Sequence, residues 1–259
     1  MLFNIGSVFL NSLNSMSKFG NFVLFQIYLF PLFFRKVRWK IVIKEIYIIG
    51  VGTIGVIVLT AFFTGMVSAI QLYAGFHQFG IDSFMGYTIF LSIAKELGPV
   101  FGSLMVISRA VSSMAAEIGT MRVTEQIDAI ETLAVDSKEL LIVPKILASI
   151  VSLPLLVIVF DFVGNLSAFL ISNYVLGINP ITYQNVILQH LIFTDIYSGI
   201  IKAFVFGYLI SAIGTYVGYI TTGGAKGVGI ATTKAVVYSA VCVFMFNYLI
   251  SSLFLMLGW

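Results

Sequence analysis

The chain has 259 residues, of which 59% are hydrophobic and only 10% carry a charge. Its mean hydropathy is +1.06. Because a soluble domain carries about 25% charged residues, this composition excludes a soluble globular protein and indicates a membrane domain. The net charge of +3 does not indicate a nucleic-acid partner. The single cysteine, Cys242, cannot form an intrachain disulfide.

The first 45 residues predict a helix that lies in the membrane interface. The apolar run over 22–34 is short for a span, and Gln26 interrupts it. A basic cluster follows from Arg35 to Lys44, as is typical of a helix whose basic end sits among headgroups. A sixth membrane span in this region is the alternative.

Five later segments are apolar enough to cross a bilayer, which takes about 20 mostly apolar residues. Loops that contain Lys and Arg alternate along the chain with loops that contain neither. Because cytoplasmic loops carry the excess of these residues, the N-terminus is expected on the cytoplasmic or stromal side and the C-terminus on the opposite side. The glycine-rich stretch 223–229 is predicted to be a tight loop. The sequence therefore predicts an all-α integral membrane protein with a single domain over residues 1–259. The predicted spans are 46–74, 86–113, 140–174, 196–222 and 235–258.

Small residues recur every four positions in the second and fourth predicted spans, a spacing that lets helices approach closely. We favour packing within one subunit over a seam between subunits. Pro99 cannot donate a backbone hydrogen bond, so Gly98 and Pro99 predict a kink. The small faces are formed by Ala94, Gly98 and Gly102 in the second span, and by Gly199, Ala203, Gly207, Ser211 and Thr215 in the fourth.

Four charged residues are predicted in the outer half of the membrane: Lys95, Glu96, Asp161 and Lys202. At 1.5 Å per residue, Lys95 and Glu96 lie about 15 Å from the outer end of their span. A lone charge at the bilayer centre costs at least about 2.5 kcal/mol. We therefore expect these groups to pair with one another or to line a wet cavity. Both a structural ion-pair network and a polar lining for a substrate headgroup fit this pattern.

The most polar part of the chain lies between the second and third spans and predicts a short amphipathic helix on the cytoplasmic face. Thr124 is the expected N-cap, and Asp136 with Glu139 is typical of a capping box that opens the third span. A solvated connector and a docking helix for a cytoplasmic partner both fit. The candidate docking residues are Glu117, Arg122, Glu125, Gln126 and Asp128.

Several catalytic motifs are missing from the sequence. It has no GxxxxGK[ST] phosphate loop, no GxSxG and no HExxH. Neither histidine has another ligand at metal-binding spacing. We therefore expect no metal, no cofactor and no ATP hydrolysis by this chain.

The motifs ELGP at 96–99, EQIDA at 125–129 and TTGGAKGVG at 221–229 resemble those of the MlaE/YrbE permease family. The resemblance runs from about residue 92 to residue 258. Ser137 stands where the family usually has proline, which leaves the start of the third span open.

The resemblance implies the permease subunit of an ABC-type lipid transporter that moves phospholipid or a related lipid between membranes. It implies a permease homodimer, separate ABC ATPase subunits that use the ATP, and an MCE-domain substrate-binding protein. It also implies that the coupling helix lies within 117–133 and that Lys95, Glu96 and Lys202 match the family's intramembrane charges. An ion-coupled secondary transporter and a non-transporting membrane scaffold are the alternatives.

The location is predicted from two observations. The family has plastid relatives, and the 24 phenylalanines are typical of an AT-rich genome. Together they favour a plastid (chloroplast) membrane, with a bacterial inner membrane as the alternative.

Overall fold

The computed structural model describes residues 16–17, 20–35 and 37–258, and within them the chain folds into helices joined by short connections. Five of the described helices are long and apolar enough to cross a membrane, which confirms the predicted fold class. The elements are α1 (Gly20–Leu32), α2 (Trp39–Phe79), α3 (Asp82–Val123), α4 (Gln126–Thr132), α5 (Lys138–Tyr174), α6 (Pro180–His190), α7 (Phe193–Tyr219) and α8 (Gly224–Met256).

The first and last spanning helices begin earlier than predicted. Because α2 begins at Trp39, Lys40 and Lys44 lie in its first turns and not in a separate interfacial segment. The predicted loop over 223–229 is wrong, because α8 begins at Gly224. Gly223 and Gly224 have φ values of 90° and 64°, which glycine adopts readily, so the chain turns and enters the helix at once.

α1 packs against one end of the helix bundle. Its Leu29 and Leu32 are buried in a cluster with Ile127 of α4, Ile142 of α5 and Ala212 of α7. The helix is too short to cross a bilayer. The part of the N-terminal prediction that concerns residues 1–15, 18–19 and 36 lies outside the described residues, and the interfacial position of α1 stays a prediction.

The centre of the bundle is built on close approaches between helices. A Cβ on Gly65 of α2 would collide with the carbonyl oxygen of Gly164 of α5, and a Cβ on Gly199 of α7 would collide with that of Ala94 of α3. A Cβ on Gly207 would lie 2.7 Å from a carbonyl oxygen of α5. These contacts confirm that the small-residue faces pack within one subunit, and they hold α7 tightly against α3 and α5.

α2 and α8 contribute least to the interior. In their most apolar windows only 22% and 11% of residues are buried, against 50 to 56% for α3, α5 and α7. Their outer faces therefore offer apolar surface to lipid or to another protein chain.

Candidate functional site

A charge cluster around the buried Lys202 joins α3, α7 and α8. Its other members are Glu96, Asn247, Ser251 and, through its carbonyl oxygen, Lys95. Lys202 is 1% exposed and donates from Nζ to Glu96 Oε1 at 2.7 Å, to the Lys95 carbonyl oxygen at 2.8 Å and to Ser251 Oγ at 2.8 Å. Glu96 also accepts from Asn247 at 2.8 Å and from Ser251 at 2.9 Å. Because all three ammonium hydrogens have acceptors, the cost of burying this charge is offset.

Pro99 explains why the carbonyl oxygen of Lys95 is available to Lys202. Proline has no N–H, so it cannot donate to the carbonyl four residues earlier in the helix. The residues Ile93–Leu97 form a π-helical turn, a feature that is frequent at functional sites. The helix thus changes its hydrogen bonding where Gly98 and Pro99 predicted a kink, while the bend itself stays a prediction.

Lys95 pairs with Asp195 of α7 at 2.7 Å, and Asp195 is 4% exposed. Asp195 was not among the predicted site residues, because the predicted span begins one residue later, at 196. Asn247 and Ser251 were not predicted either, since neutral polar side chains barely change the hydropathy of an apolar helix. A helical projection of α8 could have found both, because they are four residues apart and share one face.

Asp161 of α5 does not join the charge cluster. Its Oδ1 lies against Gly98, and no donor among the described residues is within hydrogen-bonding distance. The side chain borders a separate cavity of about 330 Å³ between α3, α5 and α7, beside Asn165 and Phe162. The four charges were expected to pair with one another or to line a cavity. Asp161 borders a cavity without pairing, and Lys95 pairs with a residue outside the four, Asp195. The pairing expectation is therefore wrong for these two residues. It is right for Glu96 and Lys202.

A groove between α2 and α3 reaches the charge cluster. Glu96 keeps 43% of its side chain exposed, and it lines the first of two adjoining cavities of about 400 and 410 Å³. One part of the lining is polar and the other is apolar, so the groove matches an amphiphilic molecule. The polar residues are Ser68, Gln71, Ser92 and Glu96, and the apolar ones include Phe63, Val67, Leu97 and Phe101.

At the opposite end of α3, the chain turns into the short helix α4. The prediction that Thr124 caps α4 is wrong. Its hydroxyl donates to the Thr120 carbonyl oxygen at 2.8 Å, a local bond that competes with N-capping. Glu125 occupies the N-cap position instead, with a φ of 59°. Arg122 Nη1 donates to Asp128 Oδ1 at 2.6 Å and so ties the end of α3 to α4.

The candidate docking residues fall into two places. Glu125, Gln126 and Asp128 lie exposed on or beside α4. Glu117 instead lies within α3, where its carboxylate accepts a hydrogen bond from Lys145 of α5 at 2.8 Å. Lys145 is 4% exposed and also donates to Glu45 of α2 at 2.9 Å. Lys145 therefore joins three spanning helices, and Glu117 belongs to this contact and not to the α4 surface.

The side chain of Asp136 caps the first backbone N–H groups of α5, as predicted, although Ser137 holds the N-cap position. Asp136 Oδ1 accepts from the backbone N–H of Lys138 at 2.9 Å and of Glu139 at 3.4 Å. The capping-box role predicted for Glu139 is wrong, because its side chain pairs with Arg35 at 3.6 Å. Within the part of the chain that the structure describes, no group of three His, Cys, Asp or Glu side chains could hold a metal ion.

A family model described as Permease MlaE matches residues 42–253. The chain belongs to the MlaE permease family. This MlaE-family chain is 42% identical over 256 residues to a probable ABC transporter permease protein of Rickettsia bellii, with 98% of this chain and 99% of the relative covered.

Two further relatives of this MlaE-family chain carry more specific names. It is 39% identical over 219 residues to the chloroplastic protein TRIGALACTOSYLDIACYLGLYCEROL 1 of Arabidopsis thaliana, with 85% of this chain and 63% of the relative covered. It is 30% identical over 217 residues to the intermembrane phospholipid transport system permease protein MlaE of Haemophilus influenzae, with 83% of each covered. The chain is thus a multi-pass membrane permease of the ABC type.

Proposed function

We propose that this permease is the membrane subunit of an ABC-type transporter that moves phospholipid or a related lipid between membranes. The observation that carries the proposal is the groove between α2 and α3, where apolar side chains face a polar lining that contains Glu96. The name of the Haemophilus influenzae relative, which specifies phospholipid transport, supports the same substrate class.

The groove can accept the two parts of a lipid by different forces. Acyl chains gain contact with Phe63, Val67 and Phe101, while a headgroup can exchange hydrogen bonds with Gln71 and Glu96. Because Lys202 is buried behind Glu96, the carboxylate is held in one position while its exposed side remains open to a ligand. The charge cluster therefore serves as a rigid wall of the lipid path.

Energy would come from a separate ATPase subunit, since the sequence lacks a phosphate loop. The exposed acidic residues Glu125 and Asp128 give α4 a surface on which a basic face of that ATPase can dock. In this arrangement α4 lies on the cytoplasmic or stromal side, as the distribution of lysine and arginine predicts.

Further partners follow from the exposed surfaces and from the family. The sparsely buried helices α2 and α8 offer apolar faces that a second copy of the chain could cover, which supports a homodimer. An MCE-domain protein on the far side of the membrane would exchange lipid with the groove. The proposed location is a plastid membrane or a bacterial inner membrane, since the relatives include a chloroplastic protein and bacterial permeases.

The lipid path is tested in vesicles that contain the permease, its ATPase and fluorescent phosphatidylethanolamine. Ser68→Trp fills the groove and should lower ATP-driven lipid transfer at least about ten-fold, while Leu59→Trp on the exposed surface of the same helix should leave it unchanged. Unchanged transfer by a folded Ser68→Trp protein would refute the groove as the path. Transfer that needs an ion gradient and no ATP would favour a secondary transporter, and no transfer by the wild type would favour a scaffold.

The docking surface needs its own test. Replacing Glu125 and Asp128 with lysine should release the ATPase from a permease that remains folded, because the acidic surface becomes basic. Asp82→Lys, at the opposite end of α3, reverses one charge away from α4 and should leave ATPase binding intact. Co-purification of the ATPase with the Glu125 and Asp128 variant would exclude α4 as the dock.

A further inference from the structure

The helix α7 connects the charge cluster with the docking end of the molecule. Lys202 lies in its first half, nine positions after Phe193, and Tyr219 is its last residue. Lys202 and Tyr219 are seventeen positions apart, which corresponds to about 26 Å along a helix. α7 has the largest buried share of the five spanning helices, at 56% of its most apolar window. It is therefore a stiff, enclosed element that touches both functional regions.

Tyr219 bonds directly to the segment around α4. Its hydroxyl donates to Glu131 Oε1 at 3.1 Å and lies 3.3 Å from Ser137 Oγ. Ser137 also donates to Glu131 at 2.6 Å. The hydrogen bond from Ser137, followed by that from Tyr219, lowers the pKa of Glu131. Because the carboxylate stays ionised at neutral pH, it keeps accepting both bonds.

Three aromatic rings surround Lys138 beside the contact between Tyr219 and Glu131, and we call them the Lys138 cage. Lys138 Nζ lies 4.0 Å from the ring centre of Tyr28 and 5.6 Å from the ring centres of Phe25 and Tyr219. These distances lie within the range of cation–π attraction. Tyr28 also donates its hydroxyl to Asp136 Oδ2 at 2.8 Å. Through the cage, α1 holds the start of α5 against the end of α7.

The ends of α4 carry unusual backbone conformations. Among the described residues, the non-glycine residues with positive φ are Glu125 at 59° and Ala134 at 58°, and they flank α4 on its two sides. Such conformations are strained for residues with a Cβ, and they cluster at switch regions. α4 is thus bounded by two strained points while Glu131 attaches it to α7.

We propose that Tyr219 is the positioning residue that transfers movement of α4 along α7 to the charge cluster, and that the Lys138 cage keeps this contact closed. The inference rests on the proposed docking of an ATPase at α4. Because Lys202 belongs to α7 and Glu96 to α3, a small displacement of α7 along α3 changes the position of Lys202 relative to Glu96.

The test uses the full chain with its ATPase in vesicles that contain fluorescent phosphatidylethanolamine. Tyr219→Phe removes the hydroxyl and keeps the ring in the cage. ATPase binding and basal ATP hydrolysis should stay within about two-fold of wild type, while the lipid moved per ATP should fall about five-fold, as expected for the loss of one such hydrogen bond. Tyr197→Phe, an exposed tyrosine on the same helix, is the matched control and should behave as wild type.

Two other variants reach the same contact from different sides. Glu131→Gln keeps the size of the acceptor but weakens it, and should also lower the lipid moved per ATP. Tyr28→Ala opens the cage and should do the same, whereas Tyr28→Phe keeps the ring over Lys138 and should retain most of the coupling. These variants decide the question if Tyr219→Phe does not fold.

The outcomes separate this inference from the proposed function. A wild-type ratio of lipid to ATP in Tyr219→Phe and Glu131→Gln would overturn the inference while ATP-driven transfer stands. A loss of ATPase binding equal to the loss of transfer would also overturn it, because the contact would then serve docking alone. If the wild type neither binds the ATPase nor moves lipid, the proposed function fails and the inference fails with it.

Discussion

Removal of the buried ammonium group of Lys202 should destabilise the permease by about 3 kcal/mol. Breaking a buried ion pair by deleting one partner costs about 3 to 5 kcal/mol, because the other charge is left without compensation. The lower end applies here, since Glu96 is 43% exposed and keeps part of its hydration. Lys202→Met also deprives the Lys95 carbonyl oxygen and Ser251 of their donor.

The structure predicts partial rescue by a second substitution. In the Lys202→Met and Glu96→Gln double variant no uncompensated charge remains, so the permease should recover about half of the lost free energy of unfolding.

The free energy of unfolding is measured in mixed SDS–detergent micelles for the wild type, both single variants and the double variant. Lys226→Met, at an exposed lysine of α8, is the control and should change little. A Lys202→Met protein as stable as the wild type, or a double variant that loses the sum of both single effects, would refute the reasoning.

Three further expectations concern packing and coupling. Pro99→Ala restores a backbone N–H that competes for the carbonyl used by Lys202, so it should lower ATP-driven lipid transfer in vesicles several-fold while the protein stays folded. Gly199→Val should reduce the yield of folded protein on size exclusion, because a Cβ at this position meets the backbone of α3, whereas Gly229→Val has open space and should not. Since the pKa of Glu131 is lowered, its contact is present above the ordinary glutamate range and is lost as the pH falls through the lowered value; the lipid moved per ATP should be constant near neutral pH and fall only in acid.

The spanning helices could be predicted because hydropathy alone identifies them. Their ends could not, since an end depends on a few local bonds that hydropathy does not contain. The start of α8 illustrates this, because the conformations of Gly223 and Gly224 begin the helix where the glycines predicted a loop. Thr124 illustrates it as well, since its hydroxyl bonds to the preceding turn and leaves the N-cap to Glu125.

The charge cluster could be predicted in part. Charges at similar depth in a membrane must pair or line a cavity, and the pair of Glu96 and Lys202 is one of the pairings that this allows. Depth does not say which face of a helix a side chain occupies, so it could not separate Asp161 from the cluster. Nor could it identify Asp195, which lies at the very start of α7, as the partner of Lys95. The link from Tyr219 to α4 depends on tertiary packing and left no signal in the sequence.

The sparse burial of α2 and α8 has a consequence for how substitutions should be tolerated. On a surface that faces lipid acyl chains, one large apolar residue can replace another with little loss of stability. Exposed positions such as Val56, Leu59 and Val241 are examples. Where a second copy covers the same helix, shape is constrained and such exchanges fail. A saturation mutagenesis scan of these two helices would therefore identify the interface with any second copy. The interface would be the set of neighbouring positions at which apolar exchanges reduce function, while the lipid-facing positions accept them.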